Sequence, residues 1–230
     1  MSDEPENIIE QVLRHTTFME CQSKVESGRI AVRQQRRKEQ NTKKHYKTYK
    51  EKEAMNNKTL LENLRCIPDF PKKGINFRDV TTLFKNPDCL QIMEDELYEI
   101  YKDCGITKIV GIESRGFVMA SALAVRLHAG VVLCRKPGKL PAETVQESFS
   151  KEYGEDTIEI HNDAINENDV VLLHDDLLAT GGTMKAAYHL VKKFNPKKVY
   201  INFLIELTNE GLNGREIFDK DTEITSLLQV

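Results

Sequence analysis

Apolar segments of strand length alternate with helical segments over residues 108–207, and this alternation constrains the fold more than any other feature. The strand candidates are KIVGI, VVLCRK, DVVLLH and KVYINFLIEL, and the helix candidates among them are FVMASALAVRLHA and TMKAAYHLVKKF. Strands that are apolar along their whole length are typical of parallel sheets that helices cover on both faces. We therefore predict an α/β fold with a central, mainly parallel sheet flanked by helices. Its ligands should bind beyond the carboxyl ends of the strands.

The composition excludes several classes of protein. Of the 230 residues 40% are hydrophobic, and no apolar run approaches the roughly 20 residues that a membrane-spanning helix requires. The five cysteines are scattered without CxxC spacing, which argues against a disulfide framework and against a zinc site. The acidic first residues, MSDEPENIIEQ, lack the features of a secretory signal. We therefore expect a cytoplasmic protein with no membrane partner.

The first 54 residues differ in texture from the remainder. Residues 30–52 contain nine lysines or arginines and two glutamates, and a stretch with so few apolar positions cannot bury a core. We predict a charged N-terminal extension over residues 1–54, partly helical or disordered, and a globular domain over residues 55–230. The basic run is either a solvated charged face or a tether for anions or nucleic acid. The formal net charge of -3 makes nucleic acid the less favoured partner.

The stretch VVLLHDDLLATGGTM, residues 170–184, places two carboxylates next to a glycine-rich turn. Asp175 and Asp176 follow an apolar strand, and their mutual repulsion must be offset by a cation or by hydroxyl donors such as a ribose diol. The turn precedes a helix, and its backbone amides and hydroxyls suit a phosphate. It consists of Ala179, Thr180, Gly181, Gly182 and Thr183. Together these features predict a site for a ribose 5-phosphate, although the same combination is common in α/β loops that bind nothing.

This stretch resembles the phosphoribosyl-pyrophosphate (PRPP) motif of the type I phosphoribosyltransferases, and DDLLATGGT is the wording of the members that act on adenine. Further similarity lies in FPKKGINFRDVTTLF, GIESRGF, RKPGKLP, EYG and IELT, so the resemblance covers nearly all of residues 60–230. It implies the type I phosphoribosyltransferase fold, with a small base-binding hood. It also implies a purine-salvage reaction in which adenine and PRPP give AMP and pyrophosphate.

The resemblance assigns pyrophosphate contacts to two further strand ends. In the loop ESRG it implies that Ser114 and Arg115 contact pyrophosphate and that a cis peptide bond begins the loop. A second cluster of cations consists of Arg135, Lys136 and Lys139. Such a cluster most often lies on a solvated edge, but it also suits pyrophosphate. The resemblance implies that these residues contact pyrophosphate. In the family they commonly act across a subunit interface, which implies a homodimer.

Residues 141–157 are polar and long enough to form a lid instead of a tight turn. A lid would keep water from a cationic sugar intermediate. Glu152 and Tyr153 match the catalytic loop of the resembled family. Glu152 is therefore the candidate for proton exchange with the purine ring, and Tyr153 is a further pyrophosphate candidate.

A purine base requires an apolar slot with a few polar contacts that distinguish one base from another. By resemblance, Phe77 and Leu207 sandwich the adenine ring, and Asn76 and Arg78 contact its edge. Taken alone, the first two are more typical of core residues. Asn76 departs from the family pattern, in which an apolar residue is common.

We expect Mg²⁺ as the cofactor, bridging pyrophosphate and ribose oxygens without a direct protein ligand. Three other functions share part of the pattern: a transferase for hypoxanthine, guanine or xanthine, a regulator that senses PRPP, and a nucleic-acid-binding module. The first would need different walls from NFRDV and IELT. The second would lack the catalytic loop KEYG, and the third would depend on residues 1–54.

Overall fold

The computed structural model describes residues 50–150, 154–208 and 212–230. The chain divides into two compact units, residues 1–55 and residues 56–230. In the smaller unit the described residues, 50–55, are helical. The rest of the predicted extension, including most of its basic run, lies outside the described residues. Within the described ranges, no helix is both long enough and apolar enough to cross a membrane.

The described part of the larger unit contains five helical segments and nine strands. In chain order they are α1 (residues 56–63), β1 (Arg65–Ile67), β2 (Phe77–Asp79), α2 (Thr81–Phe84), α3 (Pro87–Tyr101), β3 (Lys108–Ile112), α4 (Gly116–Leu127), β4 (Gly130–Cys134), β5 (Thr144–Ser150), β6 (Glu155–His161), β7 (Val170–Leu178), α5 (Gly182–Lys192), β8 (Lys198–Glu206) and β9 (Ile224–Gln229).

Five of these strands form the central sheet, in the order β4-β3-β7-β8-β9, and all neighbouring pairs are parallel. The predicted α/β class is confirmed, and β3 has the bounds of the predicted strand KIVGI. Strand β9 is missing from the sequence prediction because ITSLLQ mixes polar and apolar residues and occupies the sheet edge. A parallel edge strand needs less apolar surface than a central one.

Side chains that alternate along the strands supply two separate hydrophobic cores, one on each face of the sheet. Ile109 and Leu172 pack with α3 and α4 on one face. Val110 and Leu173, the next residues of the same strands, pack with α5 and β6 on the other face. Since successive side chains of a strand point to opposite faces, this division follows directly from period-two alternation. It explains why the strand segments are apolar throughout.

Helix α3 has a well-defined start. The side chain of Asn86 accepts hydrogen bonds from the backbone N–H groups of Asp88 (3.0 Å) and Cys89 (3.4 Å), and Pro87 occupies the first helical position. The helix buries Met93, Leu97 and Tyr101. Ile100, near the end of the helix, is 37% exposed.

Two antiparallel hairpins lie outside the five-stranded central sheet, and the second is joined to Arg135, the residue after β4, by two backbone hydrogen bonds with Glu159. Strands β1 and β2 pair across residues 65–79, and β5 and β6 pair across residues 144–161. Most of residues 141–157, the segment that is expected to form a lid, is regular strand of the second hairpin. Its polar alternation reads as loop in the sequence, although Val145 and Phe149 pack against the core that contains α5. Residues 151–153, between the two strands in sequence, lie outside the described residues.

Candidate active site

The two predicted acidic residues lie within β7, and this corrects their expected place after the strand. Strand β7 continues to Leu178, whereas its pairing with β3 stops at His174. Beyond that residue β7 pairs only with β8. Asp175 and Asp176 therefore lie where β3 has ended, at the open carboxyl edge of the sheet where ligands of parallel sheets bind.

Asp176 is paired with a predicted pyrophosphate contact. The Nε of Arg115 donates to Oδ2 of Asp176 at 2.6 Å. The side chain of Asp176 is 5% exposed, whereas that of Arg115 is 40% exposed. The buried carboxylate thus has a cationic partner that is itself open to solvent and to an incoming anion.

Among the described residues Asp175 makes no such ion pair, and its surroundings disfavour the ionised form of its carboxyl group. It accepts a hydrogen bond from the backbone N–H of Asp176 at 2.9 Å. Burial, followed by the neighbouring negative charge of Asp176, raises the pKa of Asp175 well above its usual range. The acid pair therefore favours a ligand that supplies hydroxyl donors or positive charge at this point.

We predict that Asp175→Asn stabilises the protein at neutral pH. A carboxyl whose pKa is raised on folding contributes stability that is fully present below its unfolded pKa and is lost as the pH rises through the folded pKa. The amide removes the loss while it retains an oxygen that can accept the Asp176 N–H. Thermal unfolding should show a higher Tm for the variant at pH 7, by about 2 to 4 °C per kcal/mol relieved. The difference should vanish near pH 3, and a variant that melts lower at pH 7 would contradict the prediction.

The loop ESRG approaches the acid pair closely. The Glu113–Ser114 peptide bond is cis, which confirms the expectation derived from the family resemblance. A Cβ added at Gly116 would lie 2.7 Å from the carbonyl oxygen of His174 and 3.2 Å from Oδ1 of Asp175. Only glycine permits this approach, because real Cβ atoms do not come within 3 Å of such an atom. The start of α4 is thereby held against β7, with Arg115 beside the acids.

The predicted cation cluster is fixed by carboxylates that the sequence analysis did not include. Glu113 accepts from Nη2 of Arg135 and from the backbone N–H of Lys136, both at 2.9 Å. The Arg135 hydrogen bond, more than the Lys136 amide, lowers the pKa of Glu113. The Nζ of Lys136 is paired with Asp156 of β6. Glu113 lies inside the conspicuous motif GIESRGF, whereas the pairing of Asp156 has no sequence signal.

One cavity of about 330 Å³ brings most of these groups together. It contains predicted contacts for ribose and for pyrophosphate, and it also contains buried apolar residues. Its lining consists of Ile112, Glu113, Ser114, Arg115, Cys134, Arg135, Lys136, Ile158, Asp175, Asp176 and Thr183. Lys139 is not among the lining residues, although its backbone oxygen accepts from Nη1 of Arg135 at 3.2 Å.

The glycine-rich turn forms the start of α5. Gly181 is the N-cap with a φ of 78°, a left-handed conformation that favours glycine, and no side chain caps the helix. The first turn of α5 contains no acidic residue. Its amide groups can therefore be satisfied by an external anion, and the helix dipole favours the same sign of charge. Thr183 of this turn also lines the cavity described above.

The predicted base contacts are only partly assembled around this cavity. The guanidinium of Arg115 lies 5.7 Å from the centre of the Phe77 ring, and Phe70 packs edge-on against that ring at 5.2 Å. Arg78 instead donates to the sulfur of Cys66 at 2.7 Å, and that thiol lies 3.6 Å from Oδ1 of Asn76.

The remaining predicted residues lie elsewhere. Leu207 is 7% exposed and lines a separate cavity of about 610 Å³ between the end of β8 and residues 212–224. Phe77 therefore approaches the site, whereas the structure does not show Leu207 opposite it. Glu152 and Tyr153 lie outside the described residues, so their roles stay predictions.

Comparison with known proteins extends these observations. Residues 79–225 match the model of the phosphoribosyl transferase domain family. The adenine phosphoribosyltransferase of Phocaeicola vulgatus is 66% identical over 174 residues, which are 76% of this chain and 99% of that relative. The crystal structure of adenine phosphoribosyltransferase from Rhodothermus marinus is 46% identical, with a TM-score of 0.72 over 77% of this chain and 99% of that one.

The adenine phosphoribosyltransferase of Saccharomyces cerevisiae, crystallised with an iminoaltritol bisphosphate and adenine, is 37% identical. It has a TM-score of 0.70 and covers 76% of this chain and 99% of its own length. These matches span the central sheet, the acid pair and the loop ESRG. They agree with the type I phosphoribosyltransferase fold, and the chain belongs to the adenine phosphoribosyltransferase family.

Proposed function

We propose that this protein transfers the 5-phosphoribosyl group of PRPP to adenine, which gives AMP and pyrophosphate in purine salvage. The observation that carries the proposal is the single cavity that joins the acid pair of β7 to Ser114, Arg115, Arg135 and Lys136. Ribose and pyrophosphate are adjacent in PRPP, so a site for PRPP needs these two sets of groups side by side. Membership of the family and the bound adenine of the yeast relative support the choice of base.

The acid pair would bind the ribose hydroxyls. Hydroxyl donors favour an ionised acceptor, and in the described part of the chain Asp175 makes no ion pair like that of Asp176 with Arg115. The turn over residues 179–183 would hold the 5-phosphate at the amino end of α5. Fixing both ends of the sugar presents its C1 atom to the base at a constant angle.

The cations would stabilise the leaving group. As the bond from C1 to pyrophosphate breaks, positive charge develops on the sugar and negative charge on pyrophosphate. Arg115 can exchange Asp176 for the anion because its side chain is 40% exposed. Arg135 and Lys136 are already oriented by Glu113 and Asp156. Groups positioned before the reaction stabilise charge without a reorganisation cost.

The residues around the cavity fit a Mg²⁺ ion that is held mainly by substrate oxygens. Among the described residues no group of three or more His, Cys, Asp and Glu could hold a metal ion by itself. Carboxylate and hydroxyl oxygens of Asp175, Asp176 and Thr183 nevertheless line the cavity, and oxygen is the ligand that Mg²⁺ prefers. When bound, the ion would neutralise part of the pyrophosphate charge.

We also propose a homodimer that uses the face formed by α4 and β4. Strand β4 is an edge strand, and Val131 and Leu133 are 40% and 39% exposed on it. Val118 and Val125 of α4 are 41% and 84% exposed. Exposed apolar side chains on a helix and on the edge strand next to it in the chain are the kind of surface that an interface would cover. Arg135 directly follows β4, so a dimer through this face would bring the cation cluster near the interface.

Sedimentation equilibrium tests this assembly. We expect a dimer for the wild type and a monomer for the double variant Val125→Glu and Leu133→Glu, because a charge buried at an interface is strongly unfavourable. The control Leu61→Glu places the same charge on an exposed apolar position of α1, which is 45% exposed. A monomeric wild type, or a double variant that remains dimeric, would contradict the proposed interface.

We also propose that the protein is located in the cytoplasm. Cys66, Cys89, Cys104 and Cys134 are all free thiols in the described chain. Free thiols are typical of reducing compartments, in which disulfide bonds do not persist.

Base choice is tested by steady-state kinetics with PRPP, Mg²⁺ and one of adenine, hypoxanthine, guanine or xanthine. We expect kcat/KM to be at least about 10²-fold higher with adenine, since polar contacts to a base discriminate strongly against bases that leave them unpaired. An equal or higher kcat/KM with an oxopurine would contradict adenine as the preferred substrate, although the phosphoribosyl transfer reaction would stand.

A further inference from the structure

The turn NGREIF, residues 213–218, belongs to none of the motifs assigned above, yet it lies against the glycine-rich turn of the PRPP motif. Its own backbone is ordered by a hydrogen bond from the N–H of Glu216 to the oxygen of Asn213 at 2.9 Å. A Cβ added at Gly214 would lie 2.2 Å from the carbonyl oxygen of Ala179. The two turns are therefore in direct backbone contact.

The contact is reciprocal. A Cβ added at Gly181 would lie 2.6 Å from the carbonyl oxygen of Gly214 and 2.8 Å from Cδ1 of Ile217. The φ of 78° at Gly181 already favours glycine, and the contact with Gly214 adds a second, independent requirement. Each glycine thus lets the other turn approach, and a side chain at either position would push the turns apart.

Arg215 anchors this turn to the central sheet. Its Nε and Nη2 donate to the two carboxylate oxygens of Glu206 at 2.9 and 2.5 Å, and its Nη1 donates to the oxygen of Ile224 at 2.8 Å. The Glu206 side chain is 8% exposed, and it accepts a further bond from the hydroxyl of Ser226 at 2.7 Å. The Arg215 hydrogen bonds are the first cause of the lowered pKa of Glu206. A two-pronged pair of this kind fixes orientation as well as distance.

We propose that Gly214 and Arg215 form a brace that positions the glycine-rich turn for the 5-phosphate. The inference rests on the proposed function, because it assumes that residues 179–183 hold that phosphate. Glu206 is the last residue of β8, which pairs with β9. Through Glu206 the brace anchors the glycine-rich turn, which has no side-chain cap of its own, to these two strands. Arg215 is a positioning residue in this account, since it acts through Gly214 and the neighbouring turn.

The test is the affinity for ribose 5-phosphate, measured by titration calorimetry on Gly214→Ala and Arg215→Lys. We expect each variant to bind about tenfold more weakly than the wild type, equivalent to about 1.4 kcal/mol. In kinetics, KM for PRPP should rise by a similar factor while KM for adenine stays within about twofold, because a less ordered phosphate turn affects only the phosphate-bearing substrate.

Two matched controls accompany the variants. Arg126→Lys removes the fork of an arginine that pairs with Glu94 and Asp95 on α3. Gly130→Ala adds a methyl group whose nearest neighbour is the flexible Lys108 side chain at 3.3 Å. Both should bind ribose 5-phosphate as the wild type does. Thermal unfolding shows that each variant is folded, and Arg215→Lys carries the test if Gly214→Ala does not fold.

The outcomes separate the brace from the proposed function. Unchanged affinity for ribose 5-phosphate in the folded variants, or equal rises in KM for PRPP and adenine, would overturn the brace while the wild-type reaction stands. A wild type that binds ribose 5-phosphate but forms no AMP would overturn the proposed function, and the binding experiment would still decide on the brace. A wild type that forms AMP but binds no ribose 5-phosphate would overturn the brace while the wild-type reaction stands.

Discussion

Glu152→Gln should lower kcat by about 10² to 10⁴, the range expected when a general acid or base is removed. The amide matches glutamate in size and retains hydrogen-bonding capacity, but it cannot exchange a proton with the purine ring. The expectation comes from the match of KEYG to the family's catalytic loop.

Single-turnover kinetics with adenine decide the result, because they separate chemistry from product release. Glu155→Gln is the matched control: it makes the same change three positions away, at an exposed residue of β6, and should leave the chemical step unaffected. An unchanged rate of the chemical step in Glu152→Gln would remove Glu152 from proton transfer. A role in closing the site would then be the remaining one for this residue.

Asp176→Asn should lower kcat/KM for PRPP by about 10²-fold. The variant loses a charged acceptor for the ribose hydroxyls, and a hydrogen bond to a charged group contributes about 1.5 to 3 kcal/mol. It also removes the negative charge from the 2.6 Å contact with Arg115, so that the guanidinium is held less firmly beside the acid pair. Steady-state kinetics at fixed adenine and varied PRPP measure the effect, and KM for adenine should change little.

Glu94→Gln is a matched control for this variant, because Glu94 is a 13% exposed carboxylate that pairs with Arg126 on the surface of α3 and α4. It should retain wild-type kinetics. If Asp176→Asn binds and uses PRPP as the wild type does, the acid pair does not contact the ribose. The pair would then have a structural role through Arg115 alone.

Much of the fold can be predicted from the sequence because helices and hydrophobic side chains cover the central sheet on both faces. The stretches IVGI of β3 and VVLL of β7 are apolar at every position, and this makes the strands recognisable without an alignment. The hairpin of β5 and β6 is not visible in the same way. Its strand TVQESFS is mostly polar and is half exposed, so that it resembles a loop.

The site can be predicted from the sequence only where its residues are neighbours along the chain. The acid pair and the glycine-rich turn occupy one short stretch, and both stand out by composition. The partnership of Arg115 with Asp176 joins positions 61 residues apart, and the contact of Gly214 with Ala179 joins positions separated by β8. Such contacts depend on sheet order and register, which a single sequence does not specify.

Family resemblance supplied what the physical pattern lacked, including the cis peptide bond at Ser114 and the assignment of Glu152. The structure in turn supplied what the resemblance lacked: the carboxylates that orient the cations, and the turn that supports Gly181.

The central claim is tested most directly by AMP formation from adenine, PRPP and Mg²⁺ with the purified full-length chain, with AMP and pyrophosphate both quantified over time. We expect AMP and pyrophosphate to appear in equal amounts, and we expect neither to form when PRPP or adenine is omitted. Measurable PRPP binding without AMP would contradict it. In that case the acid pair and the glycine-rich turn would hold a ribose phosphate for sensing and not for catalysis.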